Sequence, residues 1–123
     1  MPVPAPLTLP RQRRMKQGRD FARLKAEGKR VAHGCLIVNW QELPADRKSR
    51  LAVITTRKLG SAVVRSRSRR LLRECFRLHQ HDLRAPADLI LVARASLAAK
   101  DFAGVEKDYL TALRQAKLLK PAP

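Results

Sequence analysis

Residues Gly60 to Glu74 read GSAVVRSRSRRLLRE, and five of these fifteen are arginine. Gly60 and Ser61 supply a break and a helix N-cap. Placed at about 100° per residue, Leu71, Leu72, Cys75, Phe76 and Leu78 share one broad arc of the helix that follows. Arg65, Arg69, Arg70, Arg73 and Arg77 fall on the opposite arc, with Arg67 at its flank. The helix, expected from Ala62 to about Gln80, therefore has a core face and an arginine face. Glu74 is the one acid in the stretch, so the arginines cannot all be neutralised within the helix.

Working outward, the segments on either side fix the fold class. Upstream, RLAVITTR (residues 50–57) is the clearest strand, and VAHGCLIVNWQ (31–41) is β-rich with Gly34 marking a bulge or dividing it in two. RDFARLKAEGKR (19–30) carries Phe21 and Leu24 on one side and reads as a short helix ended by Gly28. Downstream, Pro86 bars continuation of the arginine helix, and LILVAR (89–94) is a buried strand. A last amphipathic helix presents Phe102, Val105, Tyr109, Leu110 and Leu113, with Asp101 as its N-cap. The order is α-β-β-β-α-β-α, an α+β two-layer sandwich with helices packed on one small sheet. Residues 1–12 read as a proline-rich tail, 13–119 as one domain and 120–123 as a second tail. Arg13, Arg14 and Lys16 form a basic arm of the kind that orders on a partner.

Bulk composition narrows the function. The chain has 123 residues, 27 Lys plus Arg against 10 acids, and a net charge of +17. Such a field concentrates polyanions, with nucleic acid the first candidate. No apolar run approaches the ~18 residues that span a bilayer, which excludes a membrane partner of that kind. The opening MPVPAPLTLP lacks the basic start and apolar block of a signal peptide, which points to the cytoplasm. Cys35 and Cys75 lie in apolar segments without CxxC spacing and read as reduced core residues.

A solvated cationic face is the simplest account of the arginines. Two features oppose it. Faces built for solubility mix both signs, and Arg65 to Arg77 holds six arginines with no lysine. Guanidinium forks bind phosphate bidentately and stack on bases, as ammonium groups do not. The helix start adds N–H groups and a dipole that attract phosphate. A strand, not a second helix, leads into the arginine helix, which disfavours a helix-turn-helix DNA reader. Phe21 and Trp40 are the aromatics available for base stacking, or equally for the core.

No protein active site is evident. Asp20, Asp82, Asp88 and Asp101 are scattered. Cys75 and His79 are four apart on one helix, a metal-capable spacing, but two ligands without a third are better read as a packed cysteine and a helix-end histidine.

TTRKLGSAVVRSRSRRLLRECFR (residues 55–77) resembles the signature of the bacterial ribonuclease P protein subunit: a strand ending in basic residues, then Gly-x-Ala-Val-x-Arg-Asn-Arg, then Lys/Arg-Arg-x-x-Arg-Glu. The resemblance extends over residues 12–118. It implies a left-handed β-α-β crossover, the reverse of the usual hand. It also implies a protein that binds a catalytic RNA and the single-stranded 5′ leader of precursor tRNA. Leader removal is then performed by the RNA and its magnesium ions, within an endoribonuclease holoenzyme that needs no organic cofactor and no protein partner.

By the resemblance, Arg65, Arg67, Arg69, Arg70 and Arg73 occupy the RNA-binding signature, and Lys58 and Gly60 its beginning. Ser66 and Arg77 complete that face, with Ser66 standing where the family usually has asparagine. Phe21, Lys25 and Asn39 fall at the leader cleft, with Lys25 where a second aromatic is common. A ribosomal or ribosome-assembly protein is the alternative on charge alone.

Overall fold

The computed structural model describes residues 9, 10, 13–15 and 18–121. It contains α1 (Gly18–Glu27), β1 (Lys29–His33), β2 (Leu36–Glu42), β3 (Arg50–Ile54), α2 (Ala62–His79), β4 (Ala87–Ala93) and α3 (Phe102–Gln115). Short 3-10 turns lie at Arg57–Leu59, Gln80–Asp82 and Ala95–Ala99. The expected α-β-β-β-α-β-α order is the observed one. The apolar run 31–41 is a hairpin, split where Gly34 turns the chain at φ +56. A side chain there would clash with the Asp108 carboxylate, which accepts the Cys35 N–H at 3.0 Å and so pins the turn to α3.

The four strands form one sheet in the order β1-β2-β4-β3. β2 pairs antiparallel with both β1 and β4, whereas β3 and β4 are parallel, with Leu51 opposite Leu89 and Val53 opposite Leu91. A parallel pair needs a crossover, and α2 is that crossover. β4 is central and covered on both faces, so its period-2 alternation vanishes into an almost wholly buried run.

The alternation of the other strands divides the core. Leu36, Val38, Trp40, Leu51, Leu89 and Leu91 face α2 and α3, where they meet Leu72, Phe76, Tyr109 and Leu113. Trp40, 6% exposed, is therefore a core residue and not a stacking platform. On the opposite face Ala52 and Ile90, with Ile54 and Val92, meet Leu24, Phe21 and Met15. α1 lies over part of this second face only, which creates the cleft described below.

Cys35 and Cys75 are buried and free, as expected. Burial pushes both thiols up to about 12, far from a reactive thiolate. Of the basic arm, Arg13–Met15 dock on the edge strand. Met15 N–H donates to Leu51 O at 2.7 Å, Arg13 Nε donates to Ser49 O at 2.5 Å, and Met15 is buried. This shields part of the open β3 edge. Lys16 and residues 1–8, 11 and 12 of the expected tail lie outside the described residues. Leu9 packs against the main core. Lys120 N–H donates to Asp82 O at 2.8 Å, and 122–123 are outside the described residues.

Candidate nucleic-acid interface

α2 starts where the chain needs a glycine. Gly60 has φ 145 and ψ −158, a conformation closed to side-chain-bearing residues, and an added Cβ would meet Val64 Cγ1 at 3.1 Å. Ser61 then caps the helix, accepting the Val64 N–H at 3.4 Å. That bond takes up one of the N–H groups expected for an anion at the helix start. The core face is Leu72, Cys75 and Phe76, joined by Ser68, whose hydroxyl is satisfied by Val64 O at 2.8 Å. Ser68 escapes a hydropathy-based arc because a serine that bonds back one turn can be buried.

The arginine face is real but not uniform. Arg70 is exposed and Arg65 half-buried, and neither side chain has a hydrogen-bond or ion-pair partner among the described residues. Arg69 donates to Thr55 Oγ1 at 2.7 Å and Ser66 Oγ at 3.1 Å, so the serine in the asparagine position orients an arginine. Arg67 donates to Lys100 O at 2.7 Å, bracing α2 against the loop before α3. Arg77 binds Glu74 through Nε at 3.0 Å, and this hydrogen bond holds the Glu74 carboxyl below its usual range. Lys58 is exposed in the turn that precedes Gly60.

The second feature is a cleft of about 500 Å³ on the open face of the sheet. α1 contributes Phe21, Leu24 and Lys25 to its wall, and β1 contributes Arg30. Its floor is Ile37, Ile54, Ile90 and Val92, apolar residues at alternate strand positions, with the polar Asn39 among them. The structure thus brings Phe21, Lys25 and Asn39 together, although they lie on two different elements. Arg30 is a basic residue of this cleft that the sequence analysis did not single out. Its place on a period-2 strand, out of phase with Val31, is the signal that could have found it.

Beneath the cleft a carboxylate fixes α1. Asp88 on β4 is fully buried and accepts Arg50 Nε at 2.9 Å and Nη2 at 2.8 Å, and Arg23 Nη2 of α1 at 2.7 Å. Asp20 lies 3.4 Å from Arg50. Carboxylates scattered in sequence are therefore gathered by the fold into a structural ion network. At the far end of α2, His79 has both ring nitrogens at carboxylates, Asp82 and Glu106, each at 2.9 Å. This engagement explains the Cys75–His79 spacing without a metal. Among the described residues no three His, Cys, Asp or Glu side chains cluster as a metal-ligand set. No helix among them is long and apolar enough to cross a membrane.

A cationic helix beside an apolar-floored, basic-walled cleft, in a chain of net charge +17, defines a nucleic-acid-binding α+β domain. The ribonuclease P family matches residues 9–117. The ribonuclease P protein component of Syntrophomonas wolfei is 34% identical over 89% of this chain and 92% of its own length. That of Desulfovibrio desulfuricans is 39% identical over 87% of this chain and 85% of its own. Among solved structures, the RNase P protein of Staphylococcus aureus superposes with a TM-score of 0.80 at 27% identity, covering 88% of this chain and 98% of that one. The RNase P protein of Thermotoga maritima gives 0.74 at 28% identity, over 83% and 96%. The chain belongs to the ribonuclease P protein family.

Proposed function

We propose that the chain is the protein subunit of a ribonuclease P holoenzyme, which binds the catalytic RNA and the 5′ leader of precursor tRNA and assists endonucleolytic removal of that leader. The observation that carries this is the family match over residues 9–117, which spans the arginine helix and the cleft alike. The ribosomal alternative has no comparable support.

The arginine face is proposed to hold the RNA subunit. Arg65 and Arg70 reach solvent without partners among the described residues and offer bidentate forks to phosphates. Lys58, Ser66 and Arg69 extend the surface beyond the start of α2. Arg67 and Arg77 border it, the first also bracing the fold and the second sharing its charge with Glu74.

The cleft is proposed to take the leader. Phe21 offers a face for stacking, worth about 1–3 kcal/mol per base. Lys25 and Arg30 supply charge along the rim, and Asn39 a polar group on the floor. Lys25 in place of an aromatic makes that contact electrostatic. Residues 13–119 form the RNA-binding domain in this proposal, including the docked arm residues Arg13 and Arg14.

Magnesium belongs to the RNA and its substrate phosphates in this account. The described side chains present no ligand set that fits it, and no step is assigned to a protein-held ion. The setting proposed is the cytoplasm, where precursor tRNA is made. The test is reconstitution: purified protein, a catalytic ribonuclease P RNA and precursor tRNA at low magnesium. Stimulated cleavage at the mature 5′ end is expected. No stimulation, with the protein sedimenting on ribosomes instead, would overturn the proposal.

A further inference from the structure

A small hollow of about 160 Å³ lies next to the cleft, between the docked arm, β3 and α2. Arg14 and Arg73 line it together with Phe21, Met15, Leu51 and Val53. No acid lines it, and neither arginine has a hydrogen-bond or ion-pair partner among the described residues. Two guanidiniums converging on an apolar hollow without a counter-charge are costly. The Arg73 guanidinium is held below its usual value by burial, then by Arg14 and by Arg69. The fold nevertheless enforces the meeting, because the Met15 N–H bond to Leu51 O anchors the arm beside α2. An anion in the hollow would remove the repulsion and give each fork an oxygen.

We propose that Arg14 and Arg73 clamp one phosphodiester of the single strand that lies in the cleft, and that Arg73 thereby serves the leader and not the RNA subunit. A phosphodiester carries one negative charge and two non-bridging oxygens, one for each guanidinium. The hollow is small, so a flexible single strand can turn one phosphate into it where the rigid backbone of an RNA helix would be held at the rim. Phe21 lines both the hollow and the cleft, which puts the clamped phosphate next to the base stacked on its ring. Position on the helix face alone groups Arg73 with Arg69 and Arg70. Its surroundings separate it from them.

The clamp rests on the subunit reading, and the experiment distinguishes the two. The holoenzyme is titrated with precursor tRNA, with mature tRNA, and with precursors whose leader phosphates are replaced singly by uncharged methylphosphonates. In the wild-type holoenzyme one leader position should cost about tenfold in affinity, the size of one charge-assisted hydrogen bond. Arg14→Ala should weaken precursor binding by a similar factor, leave mature tRNA binding unchanged and abolish the sensitivity at that position. Arg73→Ala should do the same, and the double variant should be no worse than the weaker single. Arg14 is exposed and the neighbouring Met15 N–H bond to Leu51 O is retained, so its variant carries the test even if Arg73→Ala disturbs the fold. Wild-type sensitivity surviving in Arg14→Ala, or equal losses for precursor and mature tRNA, overturns the clamp. If the wild-type protein confers no preference for precursor at all, the subunit reading falls and the clamp with it.

Discussion

Arg50 on β3 grips Asp88 on β4 through two parallel hydrogen bonds, Nε to Oδ1 at 2.9 Å and Nη2 to Oδ2 at 2.8 Å. Arg23 of α1 reaches the same carboxylate at 2.7 Å. One buried acid thus ties the parallel strand pair to the helix that walls the cleft. The hydrogen bonds Arg50 donates to Asp88 are the leading reason its guanidinium rises above its usual value. Removing one partner of a buried pair costs ~3–5 kcal/mol. Both arginines retain some access to water, so Asp88→Ala should lose about 3 kcal/mol, at the lower end of that range. Urea unfolding of the variant checks this, and a loss under ~1 kcal/mol would mean that α1 is held by its apolar contacts alone.

Stability should also vary with pH through His79. Burial opposes its charge, but hydrogen bonds to Glu106 and Asp82 prevail and its folded value lies above the ordinary one near 6.5. A raised value means the folded state binds the proton more tightly. Its contribution is therefore complete below about pH 6.5 and is lost as pH rises through the folded value. Arg114, Lys117 and Lys120 line the same cavity, but the two carboxylates bonded to the ring set the direction. The urea midpoint of the wild type should decline above about pH 6.5, and His79→Asn should flatten that decline. Identical slopes for the two proteins would remove His79 from the account.

Gly60→Ala should cost about 1–3 kcal/mol, the usual range for a side chain forced into a glycine-only conformation. The penalty follows from φ 145 and the 3.1 Å approach to Val64. Thermal unfolding should show a clearly lowered midpoint, and an unchanged midpoint would mean the turn before α2 relaxes freely.

Salt dependence separates the arginines of α2. Arg70→Ala removes an exposed charge with no partner among the described residues, so the slope of log affinity for the RNA subunit against log salt should fall by about 0.7–0.9 if it meets one phosphate. Arg77→Ala should lower the slope less, since Glu74 shares its charge. Equal slopes for wild type and Arg70→Ala would leave that arginine facing only water.

Which of these features could be read from the chain depends on how local their causes are. The element order, the caps at Ser61 and Asp101 and the core face of α2 follow from short-range periodicity and turn chemistry, and all were legible. The Asp88–Arg50–Arg23 network spans 38 to 65 residues of separation, and no local pattern encodes it. Ser68 was missed because its burial depends on a backbone bond to Val64, not on hydropathy. Phe21 and Trp40 looked alike in sequence, and strand phase separated them: Trp40 points to the α2–α3 core, while Phe21 rides on α1 over the opposite face. The arginine face was visible as a stripe, yet its division among solvent, Lys100, Thr55, Glu74 and Arg14 required the neighbouring elements to be placed.

A crosslink map tests the central claim most directly. A photoreactive side chain is introduced at Arg70 on the arginine face, and separately at Lys25 on the rim of the cleft, and each protein is irradiated in a holoenzyme with bound precursor tRNA. Position 70 should crosslink to the catalytic RNA and position 25 to the 5′ leader. Crosslinks from both positions to the same RNA, or from position 25 to the body of the tRNA alone, would contradict the division of labour between helix and cleft.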